Sequence, residues 1–132
     1  MTTAIICTAI LAATLFLLGL NVSRHRGATA KAGGDQFPTD PASRLLIAIR
    51  AHGNAAEYVP TLIVLFLLVG ARSPGWLAIP LIVGATAARL AHAYGMLTAS
   101  SLATEARARF VGAAGTYVLG VALALAAAVS LL

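Results

Sequence analysis

Residues 50–60 read Arg-Ala-His-Gly-Asn-Ala-Ala-Glu-Tyr-Val-Pro, inside a segment that is otherwise apolar enough to be a membrane helix. A charged side chain costs roughly 2.5–3.5 kcal/mol at the centre of a membrane helix, so these residues need partners. At about 100° per residue, one stripe of the helix collects four polar side chains, Arg50, Asn54, Glu57 and Thr61. The stripe either binds a polar ligand or pairs with itself, as an Arg50–Glu57 contact that only fixes helix packing.

The composition identifies an integral membrane protein. Of the 132 residues, 60% are hydrophobic and 10% are charged, and the mean hydropathy is +0.92. Soluble domains carry about 25% charged residues. At about 20 residues per span, the length suffices for four helices with short loops. The sequence therefore predicts one all-α domain over residues 1–132, with four transmembrane helices at residues 3–22, 42–70, 76–98 and 109–131.

The longest predicted loop covers residues 23–43, because glycines and prolines interrupt it from Gly27 onward. Within it, Asp40 followed by Pro41 is typical of a helix cap and a first helical residue. The sequence therefore predicts that Asp40 caps the second helix.

The basic residues predict the orientation of the chain. The net charge is +5, but the basic residues flank apolar segments and form no patch with aromatic residues, so we expect contacts with membrane lipids and no nucleic-acid binding. The first and third loops are basic, whereas the second contains only Arg72. The positive-inside rule then places both termini outside the cytoplasm and the polar halves of the second and third helices on the cytoplasmic side.

The ionisable residues of those polar halves favour a ligand with carboxylates and an amine. Arginine pairs with carboxylate through two parallel hydrogen bonds, and Glu57 can receive an ammonium group. We predict no metal site, because His52 and His92 lack carboxylate or thiolate neighbours at ligand spacing. The candidate residues are Arg24, Arg50, Asn54, Glu57, Tyr58, Arg89, His92 and Arg107 or Arg109.

Two other classes of function fit the same residues. A small proton-coupled multidrug exporter also has four helices, and Glu57 would then be its proton carrier. A non-catalytic membrane-binding or structural subunit would use the polar residues only for packing.

The run at residues 50–60, together with Arg-Leu-Ala-His-Ala-Tyr-Gly at residues 89–95, resembles the MAPEG family, the membrane-associated proteins in eicosanoid and glutathione metabolism. The resemblance covers nearly the whole chain and is strongest to bacterial members. It implies a left-handed four-helix bundle in the bacterial inner membrane. It also implies a homotrimer that binds glutathione as a cosubstrate between adjacent subunits.

The same resemblance implies a role for each candidate residue. Four residues of the second helix would bind glutathione: Arg50, Asn54, Glu57 and Tyr58. Arg24 or Arg26 of the first helix would bind it too, as would Arg89 and His92 of the third. His52 would add a polar contact. Arg107 or Arg109 would be catalytic and stabilise the thiolate of glutathione. The chain would then be a membrane-bound glutathione-transferase-like enzyme that conjugates or reduces lipophilic electrophiles.

Overall fold

The computed structural model describes residues 1–130 and contains four long helices. They are α1 (Thr2–Lys31), α2 (Arg44–Arg72), α3 (Gly75–Leu97) and α4 (Arg107–Val129). Each helix is long and apolar enough to cross a membrane. The predicted all-α architecture with four membrane helices is therefore confirmed. The predicted end of the fourth helix, residue 131, lies outside the described residues.

The first helix is longer than the sequence predicted. It ends at Lys31 rather than at residue 22, so the connection to α2 covers residues 32–43. Most of the added residues are good helix formers, and Gly27, the expected breaker, costs only about 1 kcal/mol inside a helix. Beyond Lys31, the chain turns at Gly33, whose φ of 65° is accessible to glycine. The Gly34 N–H then donates to the carbonyl of Thr29 at 2.9 Å, which closes the last turn.

The start of the second helix also differs from the prediction. Its N-cap is Ser43, whose hydroxyl accepts a hydrogen bond from the N–H of Leu46 at 3.4 Å. The carboxylate of Asp40 instead accepts from the N–H of Ala42 at 2.9 Å. The predicted cap was wrong because Asp forms local turns as readily as caps, and a serine three residues later offers a second acceptor.

Helices α2 and α3 form the centre of the bundle. Each packs against the other three helices, whereas α1 and α4 do not touch each other within residues 1–130. The largest fully buried side chains include Leu11 of α1, Phe66 of α2, Ile82 of α3 and Leu123 of α4. The polar halves of α2 and α3 are therefore held against each other inside the bundle.

Helix α4 approaches the backbone of α3 at Gly112. A Cβ added there would lie 2.7 Å from the carbonyl oxygen of Ala88. Gly112 begins a line of small residues at spacing four on α4, which continues through Thr116, Gly120 and Ala124. Gly120, two turns along this line, has no neighbour within 4 Å of an added Cβ. Within residues 1–130, this line packs against α3 around Gly112 and is open around Gly120.

Candidate functional site

A buried arginine ties α3 to α2. Arg89 is 3% exposed, and its Nη2 donates to Oδ1 of Asn54 at 2.8 Å. Its Cζ lies 5.3 Å from the ring centroid of Tyr58, one turn further along α2. The Nε–H of Arg89 is buried and has no hydrogen-bond partner within residues 1–130. The hydrogen bond that holds the polar stripe of α2 therefore comes from α3 and not from within the stripe.

Tyr58 extends this contact to α4. Its hydroxyl donates to the hydroxyl of Tyr117 at 3.4 Å, and the two ring centroids are 5.7 Å apart. Arg89, Tyr58 and Tyr117 thus form a continuous path of polar contacts through α3, α2 and α4. Nothing in the sequence marked Tyr117 as part of it, because a contact between helices leaves no periodic signal in either one.

A cavity of about 240 Å³, which we call the polar cavity, opens beside Asn54. It is lined by Arg50 and Asn54 of α2, His92 and Met96 of α3, Leu102 of the following loop and Arg109 of α4. The lining contains two guanidinium groups, a carboxamide and an imidazole, and it contains no carboxylate. Such a lining attracts anions.

The hydrogen bonds around the polar cavity leave N–H donors free to bind a ligand. Because Oδ1 of Asn54 already accepts from Arg89, the amide has its two N–H donors left for a ligand. Nδ1 of His92 lies 2.9 Å from the carbonyl oxygen of Arg109. That oxygen can only accept, so we assign the hydrogen to Nδ1, which makes Nε2 of the neutral ring an acceptor. The donors that remain for a ligand are therefore the Asn54 amide and the guanidinium of Arg50. The cavity is therefore suited to a carboxylate and less suited to an ammonium group.

The side chain of Arg109 is held by the loop between α3 and α4. Its guanidinium donates to the carbonyl oxygens of Leu102, at 3.3 Å, and Thr104, at 2.9 Å. These partners could not be predicted from the sequence, since backbone carbonyls carry no residue signature. These bonds fix the position of one positive charge at the wall of the polar cavity.

An apolar groove lies on the other side of Tyr58, between α2 and α4. It has a volume of about 300 Å³ and includes both tyrosines of the path. Its lining residues are Tyr58, Thr61, Leu62, Leu65, Thr116, Tyr117, Gly120, Val121 and Ala124. The open part of the small-residue line on α4 therefore forms the floor of this groove.

The remaining predicted site residues line neither the polar cavity nor the apolar groove. His52 is half-buried against α1, where its Nε2 lies 3.3 Å from a Cβ added at Gly19. The other four are exposed: Arg24, Arg26, Glu57 and Arg107. Their roles stay predictions. In addition, no cluster of metal-ligating side chains occurs in the part of the chain that the structure describes.

Arg50 and Glu57, the ends of the predicted self-pairing, are both exposed. Seven residues separate them, which is about 10 Å along the helix axis. Arg50 lines the polar cavity, whereas Glu57 is not among its lining residues. The polar stripe of α2 is therefore divided between two environments, the polar cavity at Arg50 and the exposed surface at Glu57.

Comparison with known proteins gives one match. The model of the MAPEG family matches residues 4–129 of the chain. No curated protein and no solved structure matches it. The matched range contains all four helices apart from the first two residues of α1, and with them both the polar cavity and the apolar groove.

Proposed function

The chain belongs to the MAPEG family, and we propose that it binds glutathione in the polar cavity and transfers it to, or uses it to reduce, lipophilic electrophiles. Family membership and the four membrane-spanning helices already make it an integral membrane protein related to glutathione and eicosanoid metabolism. The proposal adds the ligand, the site and the reaction to that assignment.

The observation that carries the proposal is the position of the two cavities. Asn54 lines the polar cavity and Tyr58 lines the apolar groove, one turn apart on α2. One turn of helix is about 5.4 Å long, so an anionic peptide in the cavity and an apolar molecule in the groove would nearly touch. A thiolate at this junction would attack an electrophile that arrives from the bilayer. Holding two reactants together in this way supplies much of the rate enhancement in bimolecular reactions.

The proposed roles follow from the charges of the lining. Arg50 and the amide of Asn54 would bind the carboxylates of glutathione, since both present donors. Arg109, rather than Arg107, would stabilise the thiolate, because its guanidinium is fixed at the cavity wall. Arg89 would act through Asn54, by holding the amide oxygen away from the ligand.

The size of the polar cavity favours a site shared between subunits. Its volume of about 240 Å³ lies below the roughly 300–1,000 Å³ that is usual for small-molecule sites. Every residue that lines it comes from α2, α3, α4 or the loop between the last two helices. In the proposed homotrimer, α1 of a neighbouring subunit completes the site and brings Arg24 or Arg26 to the ligand.

The depth of Glu57 supports the same assembly. It is 13 residues from Arg44 and 15 from Arg72, so it lies about 20 Å from either end of α2, near the middle of the membrane. An exposed carboxylate at that depth is costly against lipid. A neighbouring subunit or the amine of the bound ligand would cover it in the proposed trimer.

Titration of the purified protein with glutathione tests the proposal, with ultraviolet absorbance to detect the bound thiolate. We expect binding in the wild type and its loss in Arg50→Ala, with a melting temperature close to that of the wild type. Arg72→Ala, at the far end of α2, is the matched control and should bind normally. Wild-type protein that shows no binding at millimolar glutathione would overturn the assignment.

A further inference from the structure

A second polar cavity lies at the end of the bundle where α2 begins, apart from the candidate glutathione site. Its volume is about 330 Å³. Asn21 and His25 of α1 line one wall, one helical turn apart, and Leu97 of α3 closes it. Arg44, Ile47 and Ala48 of α2 form the facing wall. None of these residues belongs to the polar cavity or to the apolar groove.

The length of α2 places this cavity at the level of the lipid headgroups. Arg44 and Arg72 are 28 residues apart, which corresponds to about 42 Å along the helix. A bilayer with its headgroup regions is about 40–45 Å thick. The apolar run of α1 likewise ends at Val22, between Asn21 and His25. The polar side chains of this cavity therefore meet the headgroups, while its apolar residues continue toward the acyl chains.

The positive charge at this cavity is that of Arg44. Nη1 of Arg44 donates to the carbonyl oxygen of Ala99 at 3.3 Å, and a guanidinium has further N–H donors. No carboxylate lines the cavity. The two carboxylates of the adjoining loop accept backbone N–H groups instead, Asp35 from Phe37 at 2.8 Å and Asp40 from Ala42 at 2.9 Å.

We propose that this cavity binds the phosphate group of an anionic phospholipid. The guanidinium of Arg44 would bind two phosphate oxygens, as its planar arrangement of donors allows. Asn21 and His25 add donors from the facing helix. Leu97, which is 39% exposed, gives the acyl chains an apolar surface beside the headgroup. Basic pockets between membrane helices bind anionic headgroups by this combination of charge and apolar surface.

Native mass spectrometry of the protein with mixed phosphatidylglycerol and phosphatidylcholine tests this site. We expect selective retention of phosphatidylglycerol by the wild type, at one molecule per subunit. Arg44→Gln should weaken this retention by about tenfold, because a charged hydrogen bond is lost. Arg72→Gln removes an arginine from the opposite headgroup level and should leave retention unchanged. His25→Leu should also weaken it while keeping the Arg44–Ala99 bond, which separates lipid binding from folding.

Three results would overturn the proposal. The first is equal retention of the two lipids by the wild type, and the second is an equal loss of lipid retention in Arg44→Gln and Arg72→Gln. The third is displacement of the lipid by millimolar inorganic phosphate, which would make free phosphate the ligand. The proposal does not depend on glutathione binding. A glutathione titration of Arg44→Gln should give the wild-type affinity.

Discussion

The contact between Arg89 and Asn54 makes a sharp prediction about the energetics of the bundle. Asn54→Ala removes the hydrogen-bond partner of a guanidinium that is 3% exposed. The positive charge then stays buried with one bond fewer. Arg89→Met removes the charge itself and fills the same space with an apolar chain, so no buried charge is left without a partner. We therefore expect Asn54→Ala to be the more destabilising substitution, and to cost little once Arg89 is methionine.

The magnitude follows from the type of bond. Hydrogen bonds to charged groups contribute about 1.5–3 kcal/mol. Hydrogen bonds between membrane helices average about 0.6 kcal/mol and reach about 1.7 kcal/mol. A charged, buried bond of 2.8 Å belongs at the upper end of the membrane range. The coupling free energy between the two positions should thus be about 1.5 kcal/mol.

A double-mutant cycle measures this coupling, from the free energy of unfolding in a denaturing detergent at one protein concentration. The matched control cycle pairs Asn54→Ala with Arg72→Met, which replaces an exposed arginine 18 residues away. The changes in the free energy of unfolding from these two substitutions should add. A coupling near or below about 0.6 kcal/mol for Asn54 and Arg89 would refute the reasoning, because the bond would then be no stronger than an ordinary neutral one.

Four other outcomes are expected. Gly112→Ala should destabilise the protein by about 1–3 kcal/mol in the same unfolding assay, since its Cβ meets the α3 backbone, whereas Gly120→Ala should not. Glu57→Gln should weaken glutathione binding at least about tenfold in a titration; unchanged binding together with lost proton-driven efflux would favour an exporter. Mass measurement in mild detergent should give a trimer, and a stable monomer would reject the shared site. Reporter fusions should place the carboxyl terminus outside the cytoplasm and the α1–α2 loop inside it.

The sequence predicted the elements of the fold better than their ends. The four helices follow from apolar length alone, which is why their number and type are correct. The end of α1 was wrong because residues beyond Val22 leave the apolar run without leaving the helix. Polarity marks the edge of the membrane, whereas the end of a helix depends on capping geometry such as that of Gly33.

The candidate site was predicted on one helix at a time. The spacing of Arg50 and Asn54 correctly put them on one face, since both line the polar cavity. The same spacing suggested Glu57 as the partner of that face, but the side chain that reaches Asn54 is Arg89 of α3. Periodicity shows which residues share a face, and only the packing of the helices shows which faces meet.

Arg89 and Glu57 carry opposite charges and lie in opposite environments within residues 1–130. The guanidinium of Arg89 is buried, while the carboxylate of Glu57 is exposed near the middle of the membrane. A buried cation is stabilised by an anion nearby, and an exposed carboxylate at that depth is stabilised by cover from lipid. In the proposed trimer, the carboxylates of glutathione bind beside Asn54, the hydrogen-bond partner of Arg89, and its amine binds Glu57, which a neighbouring subunit covers. Ligand binding and assembly would then satisfy the same electrostatic demand, so each should strengthen the other.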